Sequence, residues 1–281
     1  MQGNIYLHYN GSIYHADKLL ISPDNRSFRY GDGFFETMKM IDGKIILPDL
    51  HFERLFTSLE LLQFERPAYF NAKYLEEQVI ALAAKNQHSK QARIRLMIFR
   101  GNGGLYDPEN HFPNHLIQTW ELNTVHQLNE NGLVIDIFKD ARKACDNYSH
   151  VKSNNYLSYV MAALWAKKNH LNDAVVLNSN NRVADATIAN VFIVKDGIVK
   201  TPALSEGCVA GVMRRHLLTC MRKENIPVEE TAIEAEELLQ ASEVFLTNSI
   251  YGIKWVKSCG DNNYLQQTAS FLYKKFISIL F

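Results

Sequence analysis

The chain has 281 residues, with 30 basic and 30 acidic side chains and a formal net charge of zero. That balance argues against nucleic acid or an anionic membrane surface as the partner. Apolar residues at 47% and charged residues at 21% fit a globular protein with one large core or two modest ones. No apolar run approaches the ~18 residues that span a bilayer. Residues 1–7 lack the basic-then-apolar order of a signal peptide. The four cysteines, Cys145, Cys208, Cys220 and Cys259, show no Cys-x-x-Cys spacing. Neither a zinc site nor a disulfide framework is expected, and a reducing cytoplasm fits best.

Along the chain, residues 4–8 and 12–15 read as strands around Asn10-Gly11, a two-residue hairpin turn. Residues 34–41 and 44–47 repeat that arrangement around Asp42-Gly43. Residues 49–63 carry Leu50, Leu55, Leu59 and Leu62 near helical spacing, and residues 72–85 predict a second helix. Residues 93–99 alternate Arg93 and Arg95 with Ile94, Leu96 and Ile98, the pattern of a strand with one polar face. The polar stretch 123–131 reads as a linker. Beyond it, strands are expected at 133–138, 173–177, 190–194, 244–247 and 253–256. Helices are expected at 156–168, 212–223, 234–240 and 263–280, the first with Leu157, Val160, Met161 and Leu164 on one side. The expected organisation is a small N-terminal α/β domain over 1–122, a linker over 123–131 and a larger C-terminal domain over 132–281.

Lys152 opens the helix at 156–168 within Lys152-Ser153-Asn154-Asn155-Tyr156. Hydroxyl, amide and phenol groups surround one amine there, as a Schiff-base lysine needs. A solvated lysine at a capped helix start is the other reading. Asp185 lies among small, uncharged residues and is placed to hold a proton on the pyridine nitrogen of pyridoxal 5′-phosphate (PLP). It reads equally as a loop aspartate in a side-chain turn. Gly211 precedes a helix whose first amides, at Val212 and Met213, could receive a phosphate. Arg54 supplies a guanidinium beside apolar positions, suited to phosphate or to solvent. Thr247-Asn248-Ser249 offers small donors at a strand end, or a polar turn. Arg93, Arg95 and Arg100 could hold a substrate carboxylate, and the glycine-rich residues 101–106 after them read as a mobile lid or a plain hairpin.

Taken together, these segments resemble the class IV aminotransferase family, the fold type IV PLP enzymes. That family includes branched-chain and D-amino acid aminotransferases and 4-amino-4-deoxychorismate lyase. The resemblance runs through Tyr30-Gly31-Asp32-Gly33-Phe34-Phe35-Glu36-Thr37, His51-x-x-Arg54-Leu55-x-x-Ser58 and Lys152-Ser153-x-Asn155-Tyr156. It continues in Asp185, five residues before Asn190-Val191-Phe192, and in Gly207-x-x-x-Gly211-Val212-x-Arg214. It implies a two-domain mixed α/β fold like that of D-amino acid aminotransferase, PLP as cofactor and a homodimer. It also implies that Lys152 forms the Schiff base and shuttles the proton. Arg54, the amides at Val212 and Met213, and Ser249 would hold the phosphate, and Tyr156 would lie near the cofactor's phenolic oxygen. Asp185 would face the ring nitrogen. Tyr30, Phe35, Arg95 and the loop from Asn102 to Tyr106 would line the substrate side, with Asn248 beside it.

The chain departs from the family pattern in three places. Asp185 is one methylene shorter than the family's glutamate. Leu105 stands where the lyase branch often has arginine, and residues 102–105 carry no basic side chain. Asn248-Ser249 and Arg100-Gly101-Asn102-Gly103-Gly104 look more like the lyase branch than the branched-chain one. The expected activity is transamination between a small amino acid and a 2-oxo acid. The alternatives are release of pyruvate and 4-aminobenzoate from aminodeoxychorismate, and, more distantly, a non-catalytic relative.

Overall fold

The structure is a computed structural model that describes residues 5–123 and 127–281. Two compact units emerge, Met1–Val125 with Lys152–Asn155, and His126–Val151 with Tyr156–Phe281. Of the expected linker, residues 124–126 lie outside the described residues, as does the start of the first expected strand.

The first unit contains, in chain order, β1 (Tyr6–Tyr9), β2 (Ser12–His15), α1 (Arg26–Tyr30), β3 (Gly33–Ile41), β4 (Lys44–Ile45), α2 (Pro48–Leu61), α3 (Ala72–Lys85), β5 (Gln91–Phe99) and β6 (Asn114–Glu121). The strands form one sheet in the order β2-β1-β6-β5-β3-β4, and every pairing in it is antiparallel. Both hairpin turns form where Asn-Gly and Asp-Gly stand, with positive φ at Asn10, Gly11, Asp42 and Gly43. Side chains alternate across the sheet. Met38, Met40, Ile94, Leu96, Ile98 and Ile117 are buried on one face, where Leu55 and Leu59 of α2 and Leu75, Val79 and Leu82 of α3 cover them. Each buried leucine contributes roughly 2 kcal/mol of hydrophobic stabilisation. Register places Thr37 opposite Arg95 and Lys39 opposite Arg93 on the other face. Strand β6 and helix α1 were not expected. Polar residues on its buried face, His115 and Thr119, mask the period of β6, and α1 is only five residues long.

His115 also makes this unit acid-sensitive. Burial, with His8 adding, lowers its pKa to about 4, and its Nε2 lies 2.5 Å from Gln78 Oε1. An unfolded histidine binds its proton near pH 6.5. Stability is therefore complete above about pH 6.5 and falls as the pH drops to about 4, by about 3 kcal/mol in all. Urea midpoints measured over that range should decline in the wild type and decline less in His115→Gln.

The second unit begins with β7 (Leu133–Lys143), α4 (Leu157–Lys168), β8 (Asp173–Asn178), β9 (Val183–Ala186), β10 (Asn190–Lys195) and β11 (Ile198–Pro202). It continues with α5 (Val212–Lys223), β12 (Val228–Thr231), α6 (Ala235–Leu239), β13 (Glu243–Asn248), β14 (Gly252–Cys259), β15 (Asn262–Asn263) and α7 (Gln267–Leu272). Its sheet runs β12-β11-β10-β13-β14-β7-β8-β9, with β15 on β14. Helices connect two of the three parallel pairs among the described residues: α4 leads from β7 to β8 and α5 from β11 to β12, while β14 also pairs in parallel with β7. One core gathers Ile135, Val175, Val191, Ile193, Val244 and Leu246. On the opposite face Tyr159, Ala162 and Ala166 of α4 pack with Phe138 and Val176. The expected apolar side of α4 therefore faces outward, with Leu157 74%, Val160 50%, Met161 46% and Leu164 56% exposed. The last helix begins later than expected, at Gln267, and after Leu272 continues as a wider π-helical turn over Tyr273–Ile277 and a 3-10 turn over Ser278–Leu280.

Candidate active site

The residues singled out by sequence fall into two groups, one in each unit. Lys152 belongs to the first. Its segment is tied to β3 by backbone bonds from the Phe35 amide to the Lys152 carbonyl, 3.0 Å, and from the Asn154 amide to the Gly33 carbonyl, 2.9 Å. Lys152 Nζ lies 4.8 Å from the centre of the Phe35 ring, and the Arg95 guanidinium lies 3.7 Å from the same ring. Lysine, aromatic ring and arginine are thus brought together.

Arg54 is not solvated. Its Nε donates to Glu36 Oε1 at 2.7 Å, a second guanidinium nitrogen donates to Oε2, and His51 Nδ1 lies 2.6 Å from Oε2. Helix spacing puts His51 and Arg54 on one face of α2, over the Glu36 side of β3. Burial pushes the Glu36 carboxyl up, but Arg54 and His51 outweigh it and bring it down to about 2. Burial lowers His51 against the pull of Glu36, with Arg54 and Lys152 adding to the lowering. His51 is therefore neutral, donating from Nδ1, and its buried Nε2 has no partner among the described residues. Glu36 and His51 escaped notice as single residues. A carboxylate in an apolar strand and a histidine three residues before an arginine were the available signals.

Tyr30 and Tyr106 lie with ring centres 5.7 Å apart, and Tyr106 is largely exposed. The loop read as a mobile lid or a plain hairpin is tied down. The Arg26 guanidinium donates to the carbonyls of Gly103, Leu105 and Tyr106, while its Nε donates to Asp32 at 2.8 Å. Arg100, expected beside the substrate, pairs with Asp32 Oδ1 at 2.8 Å and donates to the Gln63 carbonyl. It braces this turn, whereas Lys39 and Arg93 join Arg95 on the sheet face. Burial lowers the pKa of both, Lys39 to about 8.

In the second unit Asp185 is buried on β9 and accepts four bonds. Asn190 Nδ2 donates to Oδ1 at 2.8 Å. Tyr159 Oη at 2.8 Å, the Val209 amide at 2.9 Å and Lys143 Nζ at 3.1 Å all donate to Oδ2. Burial first, then Asp185, pushes the Tyr159 phenol well above its ordinary pKa, so it stays a neutral donor. The Tyr156 ring packs on Tyr159 with centres 4.8 Å apart. Sequence reading missed Lys143 and Tyr159, whose distances of 42 and 26 residues from Asp185 are bridged only by the sheet and α4.

Gly211 starts α5 with no side-chain cap, and Val212 and Met213 are buried at its first turn. A Cβ at Gly211 would stand 1.8 Å from Asn190 Oδ1, so only glycine fits. Thr247, opposite Asn190 in the sheet, has a buried hydroxyl with no partner among the described residues. Asn248 closes a turn instead of presenting its side chain, since its Oδ1 accepts from the amides of Ile250 and Tyr251. That turn carries Ser249. An uncapped helix start, an orphaned hydroxyl and a buried anchored carboxylate fit the phosphate and ring nitrogen of PLP. Among the described residues no cluster of histidine, cysteine and carboxylate could hold a metal ion.

Comparison with known proteins agrees in family. The pattern described as amino-transferase class IV matches residues 33–259. The aminodeoxychorismate lyase of Vibrio harveyi is 31% identical over 241 residues, 82% of this chain and 83% of its own. A putative branched-chain-amino-acid aminotransferase of Methanocaldococcus jannaschii is 28% identical over 246 residues, 87% of this chain and 84% of its own. The branched-chain aminotransferase of Thermoproteus uzoniensis, solved with norvaline, superposes with a TM-score of 0.86 at 22% identity, covering 99% of this chain and 95% of that one. The chain belongs to the amino-transferase class IV family and is a PLP-dependent enzyme of that family, aminotransferase or lyase.

Proposed function

We propose that the enzyme transfers an amino group between a small amino acid and a 2-oxo acid, with Lys152 as the cofactor-binding and proton-carrying lysine. The observation that carries this reading is Lys152 Nζ and the Arg95 guanidinium over one Phe35 ring. It sets an amine for proton transfer beside a cation for a substrate carboxylate. When bound, PLP supplies the electron sink. Arg54, the Val212 and Met213 amides and Ser249 hold its phosphate. Tyr156 binds its phenolic oxygen, and Asp185 binds its ring nitrogen. Tyr30, Phe35, Arg95 and Tyr106 face the substrate, and Asn248 shapes the turn that presents Ser249. Lys39 and Arg93 extend the positive face, which favours anionic substrates. Lys152 Nζ would take the proton from the substrate's α-carbon and give it up at a different carbon, since return to the same one would transfer no amino group.

Borohydride reduction in the presence of PLP, followed by mass spectrometry, should place the adduct on Lys152. An unmodified Lys152, with the adduct on another lysine, would take the Schiff-base role from Lys152. Conversion of bound cofactor to its amine form by L-alanine, L-leucine or D-alanine would support transamination. No conversion with any of them, together with pyruvate release from aminodeoxychorismate, would establish the lyase instead. The 31% identity to the Vibrio harveyi lyase favours keeping that second reading.

The exposed stripe of Leu157, Val160, Met161 and Leu164 at helical spacing supports pairing with a second copy in a homodimer. Leu157→Asp combined with Leu164→Asp is expected to shift the protein to monomer in sedimentation at micromolar concentration. An unchanged dimer would place the interface elsewhere.

A further inference from the structure

We propose that Lys143 is a positioning residue that neutralises Asp185, so that the cofactor's ring nitrogen meets an ion pair rather than a free carboxylate and is incompletely protonated. The inference rests on the cofactor role of Asp185 given above. It is carried by geometry inside the second unit. Lys143 Nζ stands 3.1 Å from Asp185 Oδ2, with 11% and 3% of their side chains exposed. Of the four donors on Asp185, Lys143 alone is charged, because Asn190 and Val209 offer amides and Tyr159 a neutral phenol. The nearby Cys208 thiol is also neutral, since burial and Asp185 push it up to about 12.

A carboxylate has about four acceptor sites, two on each oxygen. Three donors crowd Oδ2 and one sits on Oδ1, so room for a further donor remains on Oδ1. A ring N–H could bind there. Its attraction would be that of a carboxylate already paired with an ammonium group in a site of low dielectric, which falls off faster than that of a lone anion. Lys143 is also held in place, with Nζ 5.4 Å from the centre of the Tyr159 ring. The short side chain of Asp185 and the cation behind it act in the same direction. Both weaken the electron sink.

The test is nitrogen NMR on the holoenzyme loaded with PLP labelled with 15N in the ring. In the wild type at neutral pH the resonance should lie away from the pyridinium position. In Lys143→Met it should move to pyridinium, with the titration midpoint of the ring nitrogen raised by about one unit or more. Lys143→Arg, which keeps the charge, should stay with the wild type. A wild-type resonance already at pyridinium, or one unmoved in Lys143→Met, overturns the inference while leaving the cofactor reading intact. Should Lys143→Met fail to fold, the wild-type position and Lys143→Arg still decide. If no PLP binds and Lys152 gives no borohydride adduct, the functional reading falls first and this inference with it.

Discussion

Replacing Lys152 with alanine is expected to lower turnover at least about 1,000-fold, with little change in stability. The residue's structural contribution is made by its backbone carbonyl, which accepts from the Phe35 amide and survives the substitution. The side chain is only partly buried, and its amine rests over the Phe35 ring. Loss of the amine therefore removes chemistry and leaves the strand pairing. Lys152→Arg keeps a cation at the ring but offers a group that does not release its proton near neutral pH. It should be as inactive as the alanine variant. Single-turnover assays of both variants beside thermal melts provide the check, and activity within tenfold of wild type in either would assign the proton transfer to another group.

The second large effect is expected on stability. Arg54→Met leaves the Glu36 carboxylate and a neutral His51 buried without their cation. Breaking such a pair costs about 3–5 kcal/mol. The Glu36 carboxyl, now held to about 2, would rise because burial is its largest perturbation and only the partners oppose it. Glu36→Leu with Arg54→Met removes both charges and should recover most of the loss. Cofactor affinity separates the two roles of Arg54. The double variant should regain its urea midpoint and still bind PLP more weakly than the wild type. A double variant with wild-type cofactor affinity would show that Arg54 serves only as the partner of Glu36.

These outcomes turn on contacts that the sequence carries unevenly. Local signals translated well. Asn10-Gly11 and Asp42-Gly43 each made the turn their positive φ demands, and the apolar spacing of residues 72–85 matched its helix to the residue. Arg54, Lys152 and Asp185 were legible as members of a pattern, because each stands at a characteristic distance from neighbours in the chain. Lys143 and Tyr159 were not, and Glu36 stood inside the pattern without a role of its own. Their importance lies in pairings across sheets and between helix and sheet. Amphipathicity misled at α4, where small residues, Ala162 and Ala166, pack on the sheet while the larger leucines point away. Close helix–sheet approach selects small side chains, so the more hydrophobic side of α4 is not its buried face. Asn248 looked like a ligand as a small donor at a strand end, and Arg100 as one of three arginines around a strand. Asn248 accepts from the turn amides of Ile250 and Tyr251, and Arg100 pairs with the Asp32 carboxylate and donates to the Gln63 carbonyl.

The four residues Lys152–Asn155 belong to the first unit although they follow the strand β7 of the second. They bond to Gly33 and Phe35 and bridge Phe34 to Ser153. During synthesis, then, β3 emerges from the ribosome long before its last partner. The N-terminal unit can collapse around its helices, but it stays unfinished until β7 and the lysine segment have followed. A nascent chain stalled before residue 152 should accordingly be cut by protease near Gly33, and one extended past residue 155 should resist. Translation thus completes the first unit with the segment that brings in Lys152.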